Sequence, residues 1–396
     1  MKTKIRRSQL LVIGCFFGFF LFCLVWGLAQ PDRPSSAAEN RSLAQRPAMR
    51  RVVTDFGGFA RDFESYAADQ FPDREQLIGV YTALELAQGK KFARKAYCLQ
   101  DSWLLTKPTP TKPADLSALQ QALAQAGALD RPLVWCVLPL KNEALYDLEP
   151  AYFSDETGKT NKQALTAALA QAEGLTVIDA EAPLVTGTLA DREQYFYKTD
   201  FHWNARGAFA AAQEIARQLA GGGTIAETSV PQAEDFLWSE LGSERRYQGD
   251  LNVWFSNQFS MQEDIPRYVP KNAADLRYFL HPGDIESVPR ETIVGSGLDK
   301  DPVTYNDVFT YNLGYYRVEN PDAPEAASVL ILKDSFQNAT IDYLSAIFRS
   351  VTVVDPRSYQ ETQDLASLLE ADGIDLVLFF YHQNNVSREL IDFLSA

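Results

Sequence analysis

The stretch SVLILKDSF, residues 328–336, decides the fold. Residues 328–333 form a short and mainly apolar run without the polar–apolar alternation of a half-exposed strand, so they predict a strand covered on both faces. A helix that starts directly afterwards would hold Ser335 at the edge of the sheet, beside backbone amides able to receive an oxyanion. An ordinary helix N-cap explains the same Asp334-Ser335 pair, because Asp and Ser are preferred capping residues.

Four other apolar runs share this character, at residues 133–139, 175–179, 351–355 and 375–380. Helical segments separate most of them, and the predicted helices cover residues 114–128, 160–173, 204–220, 338–348, 363–371 and 387–394. This alternation predicts an α/β fold with three layers, α/β/α, around a mostly parallel sheet. Two further helices are expected over residues 56–93, with a break near Phe71-Pro72.

Residues 221–327 break the pattern, since their aromatic residues and prolines are scattered without period. A long irregular insertion in an α/β frame is usually a binding or lid segment. Its aromatic residues could stack on sugar rings, although such residues more often belong to the core. They are Trp238, Tyr247, Trp254, Tyr268 and Tyr305.

The N-terminus predicts a membrane anchor. Residues 10–29 carry no charge and follow four cationic side chains, at positions 2, 4, 6 and 7. This length matches the hydrocarbon thickness of a bilayer, and the cations favour a cytoplasmic N-terminus with the rest of the chain outside. The expected organisation is a cytoplasmic tail (1–9), a signal-anchor (10–29), a linker (30–50) and one domain (51–396). A cleaved signal peptide is the alternative.

Composition excludes several classes of function. The chain has 396 residues and a net charge of −15, which argues against nucleic acid as a partner. Three histidines and the absence of a CxxC spacing argue against a metal site, and no cofactor is expected. Cys98 and Cys136 could pair in an oxidising compartment or remain as two buried thiols.

A second candidate site lies at residues 198–204, KTDFHWN. Asp200 and His202 are two residues apart, so in extended backbone both side chains leave on the same side and Phe201 points away. The carboxylate can then orient the imidazole as a general base. A polar loop whose histidine only caps a helix or packs is the alternative. With Ser335 these two residues would complete a Ser-His-Asp triad, for which chain order is no obstacle. His382, after a predicted strand, could line the same cleft.

The chain resembles the DHHW-motif family of exported bacterial proteins, within the SGNH-hydrolase-like group that includes the alginate O-acetyltransferases. The matching blocks are ENRSL with a following proline (39–43 and 47), DQFPDR (69–74), LPLK (138–141), YKTDFHW with GA (197–203 and 207–208), LKDSFQN (332–338) and VDPR (354–357). The chain departs from the family motif at Phe201, which replaces its first histidine.

The resemblance implies an SGNH-hydrolase-like domain in which Ser335 is the nucleophile, His202 the general base and Asp200 its orienting partner. By the same resemblance Arg357 matches the family's active-site arginine and could bind an anionic sugar group; a salt-bridged surface arginine is the alternative. Gln337 and Asn338 could contact substrate or an oxyanion, although Asn338 also suits an ordinary position in the first turn of a helix. Trp203 belongs to the same candidate substrate site.

The function expected from these features is O-acetylation of a cell-surface glycan by a membrane-anchored, extracytoplasmic enzyme. An integral-membrane acyltransferase would supply the acyl group, as the resembled group implies. Two alternatives stay open, a carbohydrate acetylesterase and a non-catalytic glycan-binding or assembly protein of the cell envelope.

Overall fold

A computed structural model describes residues 7–36, 41–93, 96–149, 156–242, 244–383 and 385–395. Most of the predicted cytoplasmic tail, residues 1–6, and the first two residues of the ENRSL block lie outside this part of the chain. The described residues divide into two compact units. The first comprises the chain up to Lys90 together with Val253–Gln258, and the second comprises Lys91–Asn252 and Phe259–Ala396.

The helices, in chain order, are α1 (Arg7–Ala29), α2 (Arg51–Thr54), α3 (Phe56–Asp69), α4 (Arg74–Ala87), α5 (Pro113–Gly127), α6 (Lys141–Ala144), α7 (Thr157–Leu169), α8 (Ala182–Val185), α9 (Leu189–Glu193), α10 (Ala205–Gly221), α11 (Asp250–Trp254), α12 (Tyr305–Val308), α13 (Ile341–Leu344), α14 (Leu365–Ala371) and α15 (Arg388–Leu394).

The strands are β1 (Ser35–Ser36), β2 (Arg41–Ser42), β3 (Phe92–Ala93), β4 (Ala96–Cys98), β5 (Leu104–Thr106), β6 (Leu133–Val137), β7 (Leu175–Asp179), β8 (Phe236–Leu241), β9 (Ile265–Pro270), β10 (Arg277–Phe279), β11 (Tyr315–Glu319), β12 (Glu325–Lys333), β13 (Phe348–Val354) and β14 (Leu376–Tyr381).

In the first unit, α1 is long and apolar enough to cross a membrane. Its residues Leu10–Gly27 have a mean hydropathy of 2.5 and none of them is buried. Helices α3 and α4 confirm the two predicted helices and the break near Phe71-Pro72. The domain bounds proposed from the sequence remain predictions.

The second unit is built on a seven-stranded sheet in the order β10-β11-β13-β12-β14-β6-β7. The five strands from β13 to β7 are parallel, whereas β10 and β11 add an antiparallel edge. The prediction of a mostly parallel α/β sheet is therefore confirmed. The insertion is more ordered than expected, because it supplies β10, β11 and the β8–β9 hairpin.

The strand that decides the fold has both faces covered. Val329 and Ile331 of β12 belong to a hydrophobic cluster with α10, while Leu330 and Leu332 belong to a second cluster with α5. Successive side chains of a strand point to opposite faces, so an unbroken apolar run is what a doubly covered strand requires. Cys98 and Cys136 are both buried free thiols, which decides between the two alternatives left open by the sequence.

The predicted helix over residues 338–348 is wrong. A short 3₁₀ segment, Ser335–Ala339, and the single turn α13 replace it, and β13 begins at Phe348. The hydroxyl of Thr340 donates to the carbonyl of Gln337, a local bond that competes with a continuous helix. The sheet adds the second reason, since the chain must return quickly to pair β13 with β12.

Candidate active site

Three predicted site residues follow parallel strands that end at the same edge of the sheet. Ser335 follows β12, Arg357 follows β13 and His382 follows β14. In open α/β sheets this carboxyl edge is where ligand sites form. Ser335 itself is nearly buried, with 9% of its surface exposed.

The turn that carries Ser335 is fixed by the buried carboxylate of Asp334. One oxygen accepts from the amide of Phe336 at 2.9 Å, and the other accepts from the amide of His382 at 2.8 Å and from Asn385 Nδ2 at 3.0 Å. These bonds tie the turn to the end of β14. The sequence predicts a helix N-terminus whose backbone amides face the substrate. The Phe336 amide does not fit that prediction, because it already donates to Asp334.

The structure brings Asp200, His202 and Ser335 together, although 133 residues separate the last two. His202 Nε2 lies 2.8 Å from Ser335 Oγ, and His202 Nδ1 lies 2.7 Å from Asp200 Oδ1. All three residues are buried. This is the hydrogen-bond relay required of a nucleophile, a general base and the group that orients the base.

The Asp–His pair forms in a bend rather than in extended backbone. Asp200 Oδ1 accepts from both the backbone amide of His202, at 3.0 Å, and its ring. Such a carboxylate bond to the amide two residues ahead is a common turn device of Asp. Phe201 therefore does not point away, since its ring lies against the His202 ring with centroids 4.0 Å apart.

The second oxygen of Asp200 is held by the insertion. It accepts from the hydroxyl of Tyr247 at 3.0 Å and from the amide of Asp250 at 3.1 Å. Burial by itself raises the pKa of Asp200, but the charge of His202 and the hydrogen bonds from His202 and Asp250 outweigh it and hold that pKa below its usual value. Asp200 is thus kept ionised in a buried position.

Asp250 places a second carboxylate near the pair. Burial and the charge of Asp200 raise the pKa of Asp250 to about 6. Its approach depends on Gly249, where an added Cβ would lie 2.3 Å from the backbone of Thr199. Oxygen and nitrogen atoms of Asp200, His202 and Asp250 lie within 4.8 Å of one another, close enough to hold a metal ion. However, both ring nitrogens of His202 and Oδ1 of Asp200 already form the hydrogen bonds of the relay.

Lys141 stabilises the loop that carries Asp200 and His202. Its fully buried ammonium donates to three backbone carbonyls, those of Leu104 at 2.7 Å, Lys198 at 3.0 Å and Asp200 at 2.7 Å. Burial lowers the pKa of Lys141 to about 7, against the opposing influence of the Glu263 and Asp200 carboxylates. Lys141 acts on the site through the backbone of Asp200 and is a positioning residue.

Two buried aromatic residues hold the segment after Ser335. Trp203 Nε1 donates to the carbonyl of Phe336 at 3.0 Å, and the Tyr305 hydroxyl donates to the same carbonyl at 3.3 Å. The Tyr305 ring also stacks on His202, with centroids 3.9 Å apart and planes 4° apart. Trp203, a predicted substrate contact, is completely buried in this internal role.

Gln337 and Asn338, two further predicted substrate contacts, are also completely buried. Gln337 accepts from the Tyr316 hydroxyl at 3.3 Å. Asn338 accepts from the buried ammonium of Lys333 and donates to Asn306 at 3.0 Å. Asn338 therefore joins the turn after Ser335 to the insertion.

Arg357 and His382 have different surroundings at the same edge. Arg357 binds both carboxylate oxygens of Asp355, at 2.8 and 2.7 Å, and its side chain is 31% exposed. The His382 ring stacks on Phe336 with centroids 4.8 Å apart, and burial lowers its pKa to about 4. His382 is thus a neutral ring packed behind the nucleophile turn, whereas Arg357 keeps an exposed face.

A cavity of about 370 Å³ borders the loop that carries Asp200 and His202. Its lining includes Trp103, Lys198, Asn204, Arg206 and Glu263, but not Ser335. The volume would admit a small ligand. None of the three relay residues lines this cavity, so its size does not identify it as the place of reaction.

Sequence reasoning missed Asp250 and the role of Tyr247, because neither has a signal in an irregular insertion. Lys141 was inside the LPLK block but was assigned no role. Of the aromatic residues offered as sugar-stacking candidates, Tyr247 and Tyr305 are buried in the site, whereas Trp238 is 43% exposed.

The sequence is similar to a known family model and to a curated protein. Residues 99–275 match a family model described as "SGNH hydrolase-like domain, acetyltransferase AlgX", a range that includes Asp200 and His202 and ends before Ser335. "Probable alginate O-acetylase AlgJ" of Pseudomonas syringae pv. tomato is 25% identical over 283 residues, which are 66% of this chain and 66% of that protein. The chain thus spans about two thirds of the curated relative's length.

Solved structures share the fold. Bacillus cereus PatB1 with a sulfonyl adduct has a TM-score of 0.64 at 22% identity, over 75% of this chain and 97% of that one. A DHHW family protein from Eubacterium siraeum has a TM-score of 0.57 at 17% identity, over 76% and 94%. The chain therefore has an SGNH-hydrolase-like fold and is similar to the DHHW-motif proteins and to the alginate O-acetyltransferase group.

Proposed function

We propose that the protein is a serine-dependent O-acyltransferase that acetylates a cell-surface polysaccharide outside the cytoplasm. The observation that carries the proposal is the unbroken relay from Ser335 Oγ through His202 to Asp200, with distances of 2.8 and 2.7 Å. The names of the matching family model and of the AlgJ relative support acetyl transfer as the reaction and a polysaccharide as the acceptor.

Acylation begins when Ser335 Oγ attacks the carbonyl carbon of the acyl donor and His202 Nε2 takes the hydroxyl proton. The negative charge of Asp200 stabilises the imidazolium that forms. Collapse of the tetrahedral intermediate breaks the bond to the donor, whose leaving group takes the proton from His202, and an acyl-serine ester remains.

Deacylation reverses these roles with a sugar hydroxyl. His202 Nε2 accepts the hydroxyl proton as the sugar oxygen attacks the acyl carbon, and the proton returns to Ser335 Oγ when the ester bond breaks. The products are the acetylated sugar and the free enzyme. Attack by water instead of sugar would make the same site an esterase.

Arg357 is the residue at this edge that we assign to an anionic sugar group, because its guanidinium keeps an exposed face while bound to Asp355. We assign α1 to a retained membrane anchor. An integral-membrane acyltransferase beside that anchor would deliver the acyl group.

The first test is covalent labelling of the full chain with a fluorophosphonate, followed by intact-mass measurement. A single adduct is expected on the parent protein, none on Ser335→Ala, and slower labelling of His202→Ala. Ser358→Ala, an exposed serine at the same edge of the sheet, is the matched control and should label like the parent. A folded parent protein that forms no adduct contradicts the proposal.

A second measurement separates transfer from hydrolysis. The parent protein is supplied with a chromogenic acetyl ester, with and without oligosaccharide acceptors, and the acceptor mass is followed. Acetylated oligosaccharide supports the transferase. Acetate released at a rate that no acceptor changes indicates the esterase.

A further inference from the structure

The backbone that leads into Asp200 has no regular secondary structure, yet tertiary hydrogen bonds hold its polar groups. Residues 198–200 form bends rather than a strand or a helix. The carbonyl of Thr199 accepts from the amides of Leu251 and Asn252, at 3.1 and 3.2 Å. Because no sheet or helix ladder fixes this segment, the position of Asp200 depends on the groups that bond its backbone.

Glu263 holds the amide groups of the same segment. Its carboxylate accepts from the amide of Lys198 at 2.5 Å and from that of Thr199 at 3.0 Å, and it also accepts from the Thr199 hydroxyl. Hydrogen bonds to a charged acceptor are roughly twice as strong as neutral ones. Glu263 belongs to the insertion and lies 64 residues after Thr199, so the insertion anchors the loop of the relay.

Lys141 holds the carbonyl groups of this segment with the opposite charge. Its ammonium donates to the carbonyls of Lys198 and Asp200. Burial raises the pKa of Glu263, but the Thr199 hydroxyl, the charge of Lys141 and the two amides all act against that rise. An anion at the amides and a cation at the carbonyls thus hold the backbone next to Asp200 from both sides.

We propose that Glu263 is a positioning residue for the relay. It fixes the two amides that precede Asp200, and so it sets the place of the Asp200 carboxylate against His202 Nδ1. This inference rests on the proposed function, since it assigns a role in the same reaction. Glu263 also lines the cavity of about 370 Å³. Both of its oxygens already accept from the loop, so we assign the carboxylate to the loop and not to a ligand of that cavity.

Glu263→Gln is the variant that tests this role, because it keeps the length of the side chain and removes its charge. The Lys198 amide donates to one carboxylate oxygen, and both Thr199 groups donate to the other. The NH₂ group of Gln therefore opposes a backbone amide in either orientation, and the segment must move or leave a donor unpaired. A displacement of about 1 Å can cost about 10²-fold in rate, so Ser335 labelling should slow about 10- to 100-fold.

The first measurement is the rate of Ser335 labelling of the full chain over a range of fluorophosphonate concentrations. Glu263→Gln should lower the maximal rate and change the half-saturating concentration less than about 3-fold, since Glu263 contacts the loop and not the probe. Asp264→Asn is the matched control, because this exposed neighbour loses the same charge, and it should label like the parent. Thermal denaturation shows which variants fold.

The second measurement reports the geometry of the relay without any reaction. The chain has three histidines, so ¹⁵N-histidine labelling, with His202→Ala for assignment, identifies the proton between His202 Nδ1 and Asp200. This proton should resonate far downfield in the parent and in Asp264→Asn. In Glu263→Gln its resonance should shift and its exchange with solvent should accelerate, because a displaced carboxylate weakens the hydrogen bond. A residue that only stabilises the fold would leave both quantities unchanged.

A folded Glu263→Gln protein that labels at the parent's maximal rate and keeps the parent's His202 resonance overturns the inference, whatever its melting temperature. If the parent forms no adduct, the proposed function fails, and the resonance alone decides whether Glu263 positions Asp200. If Glu263→Gln does not fold, Thr199→Val takes its place, since it removes only the hydroxyl donor, with Thr199→Ser as the conservative variant. Thr199→Val should then label more slowly than Thr199→Ser and the parent, and equal rates of all three overturn the inference.

Discussion

Replacement of Asp200 by Asn tests the proposed relay most directly, because it keeps the shape of the side chain and removes its charge. In the parent protein all four contacts of this carboxylate are donors: the ring and amide of His202, the Tyr247 hydroxyl and the Asp250 amide. An Asn side chain has one oxygen and one NH₂ group. Its NH₂ group must therefore face either the His202 ring and amide or the Tyr247 hydroxyl and Asp250 amide.

Either orientation of the Asn harms the site. If the NH₂ group faces His202 Nδ1, that nitrogen must be the acceptor, and the proton then sits on Nε2, where a general base needs a lone pair. If the NH₂ group faces the Asp250 amide, two buried donors oppose each other, at a cost of about 1–3 kcal/mol.

The expected loss of acylation rate follows from removal of the negative charge of Asp200. A carboxylate about 4 Å from an imidazolium charge contributes about 4 kcal/mol at an effective dielectric constant of 20. With the mispaired amide, the barrier rises by roughly 5–7 kcal/mol, so acylation should slow by about 10⁴- to 10⁵-fold.

The assay is the pseudo-first-order rate of Ser335 labelling by fluorophosphonate, with folding checked by thermal denaturation. Asp275→Asn, an exposed carboxylate of the insertion, is the matched control and should react at the parent rate. A folded Asp200→Asn protein that labels within 10-fold of the parent refutes the assignment of Asp200 as the group that orients the base.

Further predictions concern the groups around the relay. Tyr305→Phe keeps the ring stacked on His202 and should change the labelling rate less than about 3-fold, whereas Tyr305→Ala loses the stack and should slow it about 10- to 100-fold; equal effects of the two variants would contradict a role for the stack. Lys141→Met removes a donor from three backbone carbonyls, of which only that of Lys198 is shown to keep another donor, the Leu104 amide. It should lower the free energy of unfolding by roughly 2–4 kcal/mol in urea titrations, so an unchanged midpoint would contradict that role. Because the pKa of Asp250 is raised to about 6 in the folded state, the native protein binds its proton more tightly than the unfolded chain, and the stability this contributes is lost as the pH rises from about 4 through 6. Asp250→Asn should therefore gain about 2–3 kcal/mol relative to the parent between pH 4 and pH 7 in denaturation experiments, and a constant difference over that range would show that Asp250 does not titrate there.

Several elements could be predicted from the sequence because their causes are local. The apolar run of β12 requires cover on both faces, and this indicates a buried parallel sheet before any contact is known. The alternation of such runs with helical segments then gives the α/β class. Residues that follow parallel strands must meet at one edge, which brings Ser335 and His382 to the same region.

Other features were not predictable, because they depend on partners distant in the chain. The helix expected at 338–348 is replaced by a turn whose length is set by the pairing of β13 with β12. The strands β10 and β11 lack the apolar character of the central strands, since they lie at the antiparallel edge.

The sequence by itself determined the fold class, the apolar N-terminal helix and the residue types of the relay, since hydrophobic periodicity and motif spacing are properties of the chain. Only the tertiary structure decided that His202 Nε2 lies within hydrogen-bond distance of Ser335 Oγ. It also decided the other contacts of Asp200, whose carboxylate accepts from the Tyr247 hydroxyl and the Asp250 amide and whose backbone carbonyl accepts from Lys141. It also shows that Trp203, Gln337 and Asn338, three candidate substrate contacts, are buried. The physical reason is that side-chain burial and hydrogen-bond partners arise from long-range packing, for which the spacing of residues along the chain carries no information.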